Sequence, residues 1–137
     1  MDYLLQMLPP MWEGTQMTLK LFAITLLLSI PLGLILALLR LSGIKAFDVF
    51  VNGYIWLMRG TPLMLQMLFV YFALPAVGIY FEDFTAAVVA FALNYAAYFA
   101  EIFRGGILAM GRGQYEAAKT LGMSYPQTMR RIVLPQM

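Results

Sequence analysis

Three stretches of the chain carry no charged side chain. Leu21–Leu39 is 19 residues long and bracketed by Lys20 and Arg40, Gly60–Phe81 is 22 residues long, and Phe84–Ala100 is 17. A hydrocarbon core about 30 Å thick needs about 20 consecutive, mostly apolar residues to cross it as a helix. The pattern predicts three transmembrane helices, over about 18–41, 47–79 and 84–108. The second stretch is too long for one simple span and carries Arg59-Gly60-Thr61-Pro62 inside it. Two readings fit it. Either Phe47–Met58 lies along the interface before a span that starts at Gly60, or one long helix kinks at Pro62. The kinked helix is the preferred of the two, although the sequence does not decide between them.

Composition turns this pattern into a class. Of 137 residues, 62% are hydrophobic and only 12% are charged, against about 45–50% apolar and about 25% charged in soluble domains. The mean hydropathy is +0.78. So little polar surface cannot coat a soluble globule of this size, so the expectation is an all-α integral membrane protein in a lipid bilayer. The chain has no His and no Cys, which removes an imidazole base, a thiol nucleophile, a His/Cys metal site and a disulfide. Nine Lys/Arg against seven Asp/Glu give a net charge of +2, too weak and too scattered for a nucleic-acid surface.

Charge placement gives the topology. Arg40, Lys45, Arg104, Arg112, Lys119, Arg130 and Arg131 fall on one side of the three spans. Asp2, Glu13, Glu82 and Asp83 fall on the other, with Lys20 as its one cation. Basic loops stay in the cytoplasm, so the N-terminus is expected outside and the segment after Leu108 inside. Acidic residues precede the first cation, and the first apolar run exceeds the ~7–15 residues of a signal h-region. No cleavable signal peptide is therefore expected, and the first span inserts and stays. Met11 and Trp12 suit the outer interface.

The segment 111–136 is polar enough to leave the membrane, yet it is patterned. Gln114–Leu121 reads as a short helix with Gly122 placed just past its end. Ser124 and Gln127 have the spacing of a capping box, and Pro126 sits in the first turn of a second helix that stops before Pro135. Helices this short are marginal in water. They need a surface to dock on, and Ala117 and Ala118 offer a smooth face beside the fixed charge of Glu116.

These residues carry a resemblance. Glu116-Ala117-Ala118, Gly122, Ile132 and Leu134-Pro135 form a pattern that resembles the EAA signature of ABC importer permeases at every position. Arg59-Gly60-Thr61-Pro62, Leu74-Pro75, Asn94-Tyr95-Ala96-Ala97-Tyr98, Glu101-Ile102-Phe103-Arg104-Gly105-Gly106 and Gly113-Gln114 look like the polar amino acid branch. The similarity runs from about Gly14 to the end. It implies part of the type I ABC importer permease fold: about three spans followed by a cytoplasmic helix-turn-helix. It also implies that the chain is a transport subunit of a prokaryotic cytoplasmic (inner) membrane rather than an enzyme.

By the same resemblance the docking partner is an ABC ATPase subunit that binds the ATP, so this chain holds no cofactor. A second permease subunit, identical or related, completes the pathway, and an extracytoplasmic amino-acid-binding protein delivers the solute. Gly113, Gln114, Glu116, Ala117, Ala118, Gly122, Ile132, Leu134 and Pro135 are then the coupling residues. Arg59, Thr61, Asn94, Tyr95, Tyr98 and Glu101 are the substrate-path candidates. Such permeases continue with further spans after the motif. This chain stops directly after it and reads as C-terminally truncated.

Blander readings stand beside these. Gly113–Thr120 superficially resembles a phosphate-binding loop, but Ala118-Lys119-Thr120 stands where Gly-Lys-Thr is needed, Glu116 would repel a phosphate, and no strand precedes it. Glu101 and Arg104, three apart on one face, fit a simple ion pair. Arg59 needs a counter-charge inside an apolar stretch, and Glu101 is the nearest candidate. Asn94, Tyr95 and Tyr98 fit a pathway lining and helix–helix hydrogen bonding equally well. Ala92, Ala96 and Ala100 form a small-residue stripe suited to close packing. A membrane anchor or assembly protein without transport activity, or a non-functional permease remnant, is the alternative. A membrane enzyme lacks any converging acid–base or metal set.

Overall fold

A computed structural model describes residues 2–137, and its regular structure is entirely helical. Helix α1 spans Asp2–Leu41, α2 spans Lys45–Gly60 and α3 spans Leu63–Leu68. A wide π-turn over Phe69–Ala73 and a tight 3-10 turn over Leu74–Val77 prolong α3. Helix α4 spans Asp83–Ala109, α5 spans Arg112–Thr120 and α6 spans Tyr125–Thr128, which runs on as a π-turn over Met129–Val133. Gln6–Leu41 and Asp83–Ala109 are each long and apolar enough to cross a membrane, and the bent pair Lys45–Gly60 and Leu63–Val77 passes the same test taken together.

Helix α1 begins 16 residues before the expected Thr18. At 1.5 Å per residue its 40 residues reach about 60 Å, roughly twice the hydrocarbon core. Its first half is exposed, and it enters the packed body only from Leu21 onward. From there Thr25, Ser29, Gly33 and Ala37 recur every fourth residue and are buried. This seam lies against the alanine face of α4, where Ala92, Ala96, Ala97 and Ala100 are buried in turn. Gly33 approaches Ala96 and Ala100 while Leu38 and Leu41 pack beside Ile107, so α1 and α4 run side by side in the same direction. Small residues permit such close approach in a membrane, where packing rather than water expulsion holds helices together. The stripe Ala92, Ala96, Ala100 is thus a packing surface.

The stretch 47–79 is not one kinked helix. Thr61 and Pro62 are both extended, with ψ of 146° and 135°, and the two arms meet at 105°. A proline pushes the residue before it out of the helical region, so the helical ladder stops at Gly60 instead of bending through Pro62. Helix α2 then crosses α4, burying Val51 and Ile55 on Ala97 and Ala100. Helix α3 returns along α4 in the opposite direction, with Val70 on Ala86 and Ala90. The expected third span and α4 agree to within one residue at each end.

Candidate functional site

Three arginines from three helices converge on one carboxylate. Arg40 ends α1, Arg59 lies at the end of α2, and Glu101 and Arg104 share one face of α4. Arg104 grips both Glu101 oxygens, with Nη2 at 3.1 Å from Oε2 and Nε at 3.4 Å from Oε1. Arg40 Nη1 donates to Glu101 Oε1, and its Nε donates to Asp48 Oδ1 at 3.3 Å. Arg59 stands further off, with Nη1 at 3.9 Å from Glu101 Oε2, and its guanidinium lies over the Tyr98 ring at 5.2 Å. Charges are expensive in apolar surroundings unless paired. One carboxylate thereby pins the ends of α1, α2 and α4 together.

The second cluster is the corner between α2 and α3. A helix end leaves its last carbonyls without intrahelical partners, and here side chains take them. Thr61 Oγ1 donates to Leu57 O at 2.8 Å. Gln66 Nε2 donates to Met58 O at 2.9 Å and to Thr61 Oγ1 at 2.7 Å. Asn94 Nδ2, from α4, donates to the same Met58 O at 2.9 Å and to Gln66 Oε1 at 3.0 Å. A Gln66→Leu substitution would strip these groups of partners. It is expected to destabilise the corner by about 1–3 kcal/mol, visible as faster amide hydrogen exchange over residues 57–66 in detergent, while α1 keeps its protection.

The third cluster is the C-terminal segment. Helix α5 ends in a complete Schellman turn: Gly122 N donates to Lys119 O at 2.9 Å and Met123 N donates to Ala118 O at 3.0 Å. Gly122 has φ of 70°, a left-handed conformation that suits glycine. Gln127 Oε1 accepts from the Ser124 N–H at 2.9 Å, the expected capping contact, with Pro126 in the first turn. Ala118 is buried while Gly113, Gln114, Glu116, Ala117 and Gly122 are exposed. Met129 and Val133 pack with Ile107 of α4, and Leu38, Leu41 and Tyr115 close this seat. Burial raises the Tyr115 phenol above its ordinary range, helped by Tyr125, so the seat stays uncharged.

Comparison with known proteins fits this arrangement. Residues 29–137 match the binding-protein-dependent transport system inner membrane component family. The chain belongs to that family. It is therefore an inner-membrane, multi-pass permease-family chain. It is 42% identical over 130 residues to the arginine transport system permease protein ArtQ of Bacillus subtilis (strain 168), covering 94% of this chain and 59% of ArtQ. It is 38% identical over 139 residues to the putative glutamine transport system permease protein GlnP of Rickettsia conorii, covering 98% and 64%. The L-cystine transport system permease protein TcyB of Bacillus subtilis is 36% identical over 128 residues, covering 93% and 55%. A crystal structure of an amino acid ABC transporter with histidines shares the fold, with a TM-score of 0.85 and 41% identity over 97% of this chain and 62% of that one. The chain thus spans between 55% and 64% of the length of these curated relatives.

Within this family chain the expected site residues fall into separate groups. Arg59, Tyr98 and Glu101 meet at the clasp, whereas Thr61 and Asn94 belong to the corner. Tyr95 joins neither; it stacks on Phe91 at 6.1 Å between ring centroids and is partly exposed. The sequence gave no notice of Gln66, a lone amide in an apolar run, nor of Arg40 and Asp48 as members of the clasp. Arg40 carried a signal, since it closes the first charge-free run, but its carboxylate lies 61 residues away.

Proposed function

We propose that this chain forms part of the permease of an ATP-driven importer of polar amino acids. The docking segment carries the proposal: two short capped helices with an exposed Glu116-Ala117 edge, in a chain whose relatives are named as permeases of arginine, glutamine and cystine transport systems. Gly113, Gln114, Glu116, Ala117, Ala118 and Gly122 would enter a groove of an ABC ATPase subunit, with Ile132, Leu134 and Pro135 holding the return. The partner binds and hydrolyses ATP, so this chain is a transport component and not an enzyme. A second permease subunit and an extracytoplasmic amino-acid-binding protein complete the system. The basic ends of α1 and α4 face the cytoplasm, the N-terminus faces out, and the path passes the clasp and the corner, by Arg59, Thr61, Asn94, Tyr95, Tyr98 and Glu101.

Mechanically, closure of the ATPase pushes on α5 and α6. The apolar seat passes that push to the ends of α1 and α4, where the clasp sits. A Gly122→Asp substitution tests this. A non-glycine residue in the left-handed turn costs about 1–2 kcal/mol, and the new charge would project at the docking edge. Co-purification of the ATPase subunit of the same transporter is expected to fall tenfold or more, while membrane insertion and helix content persist. Unchanged association would overturn the coupling assignment.

A further inference from the structure

The clasp has more cation than it uses. Three guanidinium groups stand against the carboxylates of Glu101 and Asp48, so one positive charge is left over. Arg104 and Arg40 occupy the Glu101 oxygens and Asp48. Arg59 makes no hydrogen bond among the described residues, although a guanidinium offers five N–H donors in a fixed fork. Its side chain keeps 44% of its surface exposed. It opens into a recess of about 430 Å³ between α2 and α4, with Asn52, Trp56 and Tyr98 in its walls. That volume is of the order of small-molecule sites, about 300–1,000 Å³.

We propose that this recess is a carboxylate site in which Arg59 takes the carboxylate of a small solute through two parallel N–H···O bonds. The inference rests on the importer reading and adds a rule of recognition to it. A planar fork backed by an aromatic ring suits a planar, singly charged carboxylate. The site reads only that group. An ammonium on the same solute finds no free anion here, because Glu101 is saturated by Arg40 and Arg104. Recognition of the rest of the solute falls to other surfaces.

The test uses the full chain in phosphatidylcholine nanodiscs. Trp56 walls the recess, and Trp12 is the one other tryptophan. A Trp12→Phe background therefore reports the recess through a single fluorophore. The common L-amino acids are titrated, each beside its α-amide and its deamino acid. At least one amino acid is expected to shift Trp56 emission saturably. Its amide should bind tenfold or more weakly, as loss of a charge-assisted hydrogen bond implies, and the deamino acid should bind within about threefold of the parent. Arg59→Gln should lose tenfold or more, and Arg59→Lys less.

An amide as effective as its acid, silence with every carboxylate, or a response only to phosphatidylglycerol added to the disc would overturn the site. The amide comparison needs no variant, so it stands even where Arg59→Gln disturbs folding. ATPase association separates the two readings. Silence with association intact removes the carboxylate site alone, whereas absence of association in the unsubstituted chain removes the importer reading beneath it.

Discussion

Gly33→Leu is expected to drive α1 away from α4 and to destabilise the chain by about 3 kcal/mol or more, at or beyond the upper end for overpacked sites. A β-carbon at position 33 would stand 2.5 Å from Phe99 Cβ, 3.0 Å from Ala96 O and 3.1 Å from Ala100 N. Two of these three atoms are backbone, so no rotamer change relieves the contact. The helices must part, and parting them sacrifices the whole seam from Thr25 to Ala37. The check is the loss of helicity on titration with SDS in mixed micelles. Gly53→Leu is the control, because a β-carbon there meets nothing within 4 Å. Coincident midpoints for the two variants would show that the seam contributes nothing.

Glu101→Gln is expected to open the clasp. The change keeps the shape of the side chain and removes the one charge shared by Arg40, Arg59 and Arg104. Breaking a fully buried pair costs about 3–5 kcal/mol; the Glu101 side chain keeps 23% exposure, so about 2–4 kcal/mol is expected here. The penalty arises from stranded cations rather than from a lost contact, and that origin is measurable. Adding Arg40→Gln or Arg104→Gln to Glu101→Gln should recover part of the loss, so the double variant is less destabilised than the sum of the singles. Strict additivity in the same SDS titration would show that the three arginines do not depend on Glu101.

Several of these parts are written in the chain order. Glu101 and Arg104 are one helical turn apart, so their pairing follows from spacing. The turn at Gly122 and the cap at Ser124 and Gln127 are local chemistry, and both appear where the sequence places them. The corner is a different case. Hydropathy adds up apolar residues and is blind to a break in the hydrogen-bond ladder. The signal that mattered was Thr61 before Pro62, whose extended backbone ends α2. Gln66 is invisible to the same averaging, since one amide among leucines and methionines barely lowers the sum. Its role depends on carbonyls released by the break and on Asn94 arriving from another helix. The small-residue seam of α1 was legible in principle, as four residues at a spacing of four. Only its match with α4 shows which face of each helix is used.

The attachment of the C-terminal segment has a mechanical consequence. A single covalent link at Met110-Gly111 would act as a swivel, and a load applied to α5 would be lost in rotation. Met129 and Val133, wedged beside Ile107 with Leu38 and Leu41 alongside, instead plant the segment across the ends of two parallel helices. A foot braced on two posts resists twisting. It transmits thrust along α1 and α4, and it delivers that thrust to the end of the bundle where Arg40 and Arg104 hold Glu101.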